Sequence, residues 1–132
     1  MLVISGALFA ALVGATYAFA ASGSRPGAEA YALVDPNGGL PRLIADHTSG
    51  FASVSVGPFG PDYCLTPSPG VNIAGTTATV SQEAFYSNAI GFVTVRYPTA
   101  GPTCGPDQLE VKVFASDLSG LSGRVAFTVN VP

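Results

Sequence analysis

The amino-acid sequence predicts a mainly β protein, with a single apolar N-terminal α-helix followed by an antiparallel β-sandwich of about seven or eight short strands. Three observations lead there. Residues 1–24 carry no charged side chain, and Arg25-Pro26 ends that run sharply. Beyond it, apolar and polar residues alternate in short segments, which is the period of a half-buried strand. Gly-Pro, Pro-Gly and Asn-Gly pairs separate those segments, and 16 Gly with 11 Pro in 132 residues leave little room for long helices.

The chain therefore divides into an apolar helix, 1–24, and a β-domain, 25–132, whose length suits one core. As a helix, residues 1–21 would run roughly 30 Å, the thickness of a bilayer's hydrocarbon. Two uses of it stay open. Leu2 to Val13 forms the apolar region of a signal peptide, and Ala18-Phe19-Ala20 before Ala21 has the small-x-small form of a cleavage site, so residues 1–20 are candidates for removal. Against removal, Met1 leads straight into Leu2-Val3-Ile4 without the basic flank that orients a signal. A retained helix that is apolar all round must bury its whole surface. Gly6, Ala7, Ala10, Ala11, Gly14 and Ala15 are small residues about a turn apart, and they would let such helices approach one another closely.

An uncharged apolar run that starts on hydrophobic residues, with a β-domain behind it, resembles the layout of type IV pilins. Ser5 stands where the bacterial pilins carry Glu, so the similarity is to the archaeal-type arrangement. The resemblance implies an extracellular or cell-surface filament, a helical homopolymer of copies of this chain that resides in the membrane before assembly. Its helix would lie in the filament core and its β-domain outside. The alternative is a soluble secreted or cell-surface binding or adhesion domain.

Within the domain, Tyr31–Val34 and Arg42–Ile44 flank Asp35-Pro36-Asn37-Gly38-Gly39, a type I turn with Gly placed for a bulge. Asp35 and Asn37 are read as turn chemistry, since the run lacks the spacing and terminal Glu of a calcium loop. Strands follow at Phe51–Val56, Tyr63–Thr66, Thr76–Val80 and Ile90–Tyr97. Leu109–Ser116 turns Leu109, Val111, Val113 and Ala115 inward against Glu110 and Lys112, and Val125–Val131 repeats the pattern with Val125, Phe127, Val129 and Val131. The spacing suits an immunoglobulin-like sandwich, although the chain has no Trp and Cys104 falls in a Gly-Pro loop. Tyr63-Cys64-Leu65-Thr66 and the closing Val125–Pro132 are similar to segments of secreted bacterial β-domains.

Cys64 and Cys104 fit one bridge in an oxidising compartment, closing a loop of about 40 residues. Each has a Gly-Pro-Asp neighbour, and Asp62 and Asp107 are read as residues of Pro turns that satisfy their own backbone, the rival being a shared acidic site. The five basic residues are scattered, which argues against nucleic-acid binding. His47 is the single histidine and Asp46 adjoins it, so it is poorly placed for a triad. Ser119-Gly120-Leu121-Ser122-Gly123 misses the nucleophile-elbow register by one position, where Arg124 stands. No enzyme activity, metal, cofactor or small-molecule substrate is expected.

Overall fold

The computed structural model describes residues 29–37, 40–58, 60–73, 77–96, 103–120 and 122–132. The expected helix, with Gly6, Ala7, Ala10, Ala11, Gly14 and Ala15, lies outside them. Among the described residues eight strands form: β1 (Ala30–Asp35), β2 (Arg42–Leu43), β3 (Phe51–Val56), β4 (Asp62–Pro67), β5 (Thr79–Glu83), β6 (Gly91–Arg96), β7 (Leu109–Ala115) and β8 (Ala126–Val131). They build two antiparallel four-stranded sheets, ordered β2-β1-β8-β5 and β3-β4-β7-β6. Among the described residues no helix is long and apolar enough to cross a membrane.

The two sheets meet through the inward side of the alternation. Val34, Phe127 and Val129 from the first sheet and Leu65, Val111 and Val113 from the second are fully buried in one cluster. Tyr63 and Phe127 join the sheets directly, with ring centroids 5.3 Å apart and planes tilted by 47°. Burying side chains of this size stabilises the fold by about 1.5–3 kcal/mol each.

Seven strands fall where the alternation puts them. The fifth runs Thr79–Glu83 instead of Thr76–Val80, with Thr76 itself outside the described residues. Its polar end, Ser81-Gln82-Glu83, stays in register with Thr128, Phe127 and Ala126 because each side chain finds a partner. Ser81 and Thr128 share a hydroxyl hydrogen bond of 2.7 Å, and Gln82 Nε2 donates to Ala89 O. Alternation alone misses such a segment, since nothing apolar marks it.

Gly50 lets β3 start close against β1. Its φ of +76° lies in the left-handed region, and a Cβ there would stand 2.6 Å from Ala30 Cβ. Beside it, Tyr31 and Ser49 exchange two backbone hydrogen bonds of 2.8 Å.

Strand directions give the sandwich two distinct ends. At the near end lie Glu29, the C-terminal Pro132 and the β2–β3, β4–β5 and β6–β7 connections; the β1–β2, β3–β4, β5–β6 and β7–β8 connections occupy the far end.

Candidate functional site

The outward face of the β4–β7 pair carries the densest group of charges. Pairing register sets Asp62 opposite Lys112 and Cys64 opposite Glu110, all on the side away from the core. Lys112 Nζ lies 3.2 Å from Asp62 Oδ2 and 3.3 Å from Glu110 Oε1. One ammonium thus serves two carboxylates. Although they point outward, Asp62 and Glu110 are only 1% and 3% exposed.

The bridge is seated on that same face, where it is positioned to seal the two acids from water. Cys64 and Cys104 form the disulfide, with Cα atoms 5.5 Å apart, as their number and setting predict. Because Cys64 faces outward, the bond does not cross between the sheets; it fastens the end of the β6–β7 connection onto the outer face. Thr103 comes with it, so close that a Cβ on Gly57 would stand 2.6 Å from its Cγ2. The clasp lies beside Asp62 and Glu110.

Electrostatically the group is only partly satisfied. Asp62 Oδ1 is buried without a hydrogen-bond partner, and Glu110 Oε1 is held by Lys112 through charge, not through a well-aligned hydrogen bond. Two carboxylates drawn from water around one cation cost more to bury than one pair. Lys112 is committed between them, and the arrangement ties β4 to β7 beside the bridge.

The Gly-Pro-Asp readings need correction at Asp62. Its carboxylate does not close its own turn: the Asp62 N–H donates to Gly60 O, and the side chain pairs with Lys112. Nor does the bridge bring Asp62 to Asp107. Asp62 faces Lys112, five residues along from the exposed Asp107, and its acidic neighbour is Glu110. The sequence carried half of this signal, since Glu110 and Lys112 read correctly as outward.

Asp35 and Asn37 act as turn chemistry. Asn37 N and Nδ2 each donate to Asp35 Oδ1 at 2.9 Å, while Arg42 Nε and Nη2 donate to Oδ2 at 3.0 and 2.7 Å. Burial pushes the Asp35 carboxyl up, but the Asn37 donors and the Arg42 guanidinium outweigh it and hold the group below its ordinary value. Burial also drives the Tyr63 hydroxyl up to about 12. In the β7–β8 turn, Ser119 lowers the Asp117 pKa, its N–H donating to Oδ1 at 2.9 Å.

His47 ends a 3-10 turn, Ala45–His47, in the β2–β3 connection at the near end. Ser119 and Ser122 sit in the β7–β8 connection at the far end, so topology separates the histidine from the serine-glycine segment by the length of the sandwich. Among the described residues no group of three or more His, Cys, Asp or Glu could hold a metal. A groove of about 450 Å³ at the near end runs along Thr66–Ile73 and reaches Pro106 and Asp107. Another of about 400 Å³ at the far end lies between Pro36, Pro41, Val56, Pro61, Tyr63 and Arg124. No family model matches this chain, and neither a curated protein nor a solved structure matches it significantly.

Proposed function

We propose that the chain is a non-catalytic structural subunit of an extracellular, pilin-like filament, with its apolar segment packed among copies of itself in the core and the sandwich forming the sheath. The observation that carries this reading is a charge-free run, 1–24, joined to a sandwich whose inward faces already cover each other. A segment apolar on every side has to be covered. With the sandwich core closed, copies of the same segment supply that cover after assembly, and lipid supplies it before.

Two further features support the reading. The chain enters the sandwich at one end, at Glu29, so the domain hangs from its apolar segment as a sheath requires. Its disulfide suits an oxidising compartment outside the cytoplasm. We read the sandwich as immunoglobulin-like in the broad sense of two packed antiparallel sheets, without an inter-sheet bridge.

Ala18-Phe19-Ala20 favours a second reading, a soluble secreted or cell-surface adhesion domain released by cleavage near Ala20. Mass spectrometry and electron microscopy of native material test the choice. The filament reading expects an N-terminal peptide that retains residues 1–20, found in fibres. Chains that begin at Ala21 and form no fibres overturn it.

A further inference from the structure

Every large hydrophobic side chain exposed among the described residues lies toward the far end. Leu40 is in the β1–β2 connection, Val56 closes β3, Phe85 and Ile90 are in the β5–β6 connection, Phe92 is the second residue of β6 and Leu118 is in the β7–β8 connection. Four of them project nearly free of the surface, at 80% exposed for Leu40, 85% for Phe85, 75% for Ile90 and 71% for Leu118. The chain enters and leaves at the opposite end.

The loops that carry them are tied together. Asn37 Nδ2, in the Leu40 loop, donates to Tyr86 O, and Asn88 Nδ2 returns a 2.7 Å hydrogen bond to Asn37 Oδ1. Asn88 N donates to Arg124 O, which links in the loop that carries Leu118. Both oxygens of Glu83 accept backbone donors, from Phe85 N at 3.0 Å and Tyr86 N at 2.8 Å. The apolar side chains are thus presented on a pre-organised frame, which lowers the ordering cost of binding.

We infer that the far end is a lipid-docking tip, whose Leu40, Phe85, Ile90 and Leu118 enter the interfacial zone of a zwitterionic or uncharged bilayer. Shape and charge select that partner. Separate projecting side chains need a fluid that closes around each of them, whereas a folded protein would need a matching pit for each. At this end Arg42 is paired with the buried Asp35, and the exposed Arg124 is matched in number by the exposed Asp117, so the tip has no surplus of cations to attract anionic lipid. Phe85 and Tyr86 meet edge to face at 5.1 Å, and the Tyr hydroxyl suits the polar side of the interface.

The inference goes beyond the filament reading and does not depend on it. The chain has no Trp, so one introduced tryptophan reports without background. The full chain is held in ordinary phosphatidylcholine vesicles and mixed with brominated phosphatidylcholine vesicles, using Phe85→Trp at the tip and Asp107→Trp at the near end. Quenching and a blue shift in the Phe85→Trp protein alone are the expected result, and Phe85→Ser should weaken the capture of acceptor vesicles by about tenfold or more. An unquenched tip tryptophan overturns the proposal, as does equal quenching at both ends. So does a shift of the tip tryptophan that follows protein concentration without acceptor vesicles, which would mark a second copy as the occupant.

Discussion

Replacing Lys112 with Met tests the logic of the clasped charges. The substitution keeps an unbranched side chain on β7 but leaves Asp62 and Glu110, 1% and 3% exposed, without the ammonium that lies between them. Breaking a buried ion pair from one side typically costs about 3–5 kcal/mol. Lys112 is 23% exposed along its side chain, so water softens the loss and about 3 kcal/mol is expected. That cost exists only while the clasp is shut. Removing the bridge by Cys64→Ser with Cys104→Ser should itself cost about 4 kcal/mol, from a closed loop of about 40 residues. It should also let water reach both carboxylates. On that open background Lys112→Met should cost under about 1 kcal/mol, as exposed pairs do. Urea unfolding followed by circular dichroism, on the four proteins of this cycle, should therefore give a coupling of about 2 kcal/mol or more between Lys112 and the bridge. Additive losses would refute the reading that the bridge seals the acids from water.

Two further predictions concern pH. Tyr63 is buried with its hydroxyl raised to about 12, so the neutral ring's contribution is complete below the unfolded value of 10.0 and is lost as pH rises from there through about 12. Tyr63→Phe should remove this alkaline loss, seen as a urea midpoint that stays flatter between those pH values than the parent's. Asp35 titrates below its ordinary 3.8, so its contribution is present above that value and is lost as pH falls through the lowered one. Asp35→Ala should cost about 1–3 kcal/mol at neutral pH by orphaning the Asn37 and Arg42 donors; measured near pH 2, the gap between variant and parent should narrow.

Much of the fold was legible because strand signals are local. Val125, Phe127, Val129 and Val131 alternate in the sequence and are fully buried in the structure. Val111 and Val113 behave alike, and the Asp35-Pro36-Asn37 turn carries its own hydrogen-bond partners within a few residues. The end of β5 was not legible, because Ser81 and Gln82 are held by Thr128, Ala89 and Gly91, partners fixed only after the strands meet.

The charged group divides in the same way. Alternation along β7 shows that Glu110 and Lys112 point away from the core, and the two cysteines announce their bridge. Neither pattern says that Asp62, 48 positions before Glu110 in the chain, shares the same ammonium. That meeting depends on the β4–β7 register.

The far-end cluster is more distant still from anything periodic. Leu40, Phe85 and Leu118 each look like a lone apolar residue between strands and Ile90 like the start of one, although the strand begins at Gly91, and single exposed hydrophobics are ordinary. What gathers them is the strand order, which stacks alternate connections at one end and ties them through Asn37 and Asn88. By itself the sequence determined seven of the strands, the sides of β7 and β8 that face the core, the bridge and the charge-free run at the N-terminus, since each follows from spacing along a few residues. Tertiary structure alone decided which outward face is sealed and which loops share an end, because burial and neighbourhood are set by segments tens of residues apart.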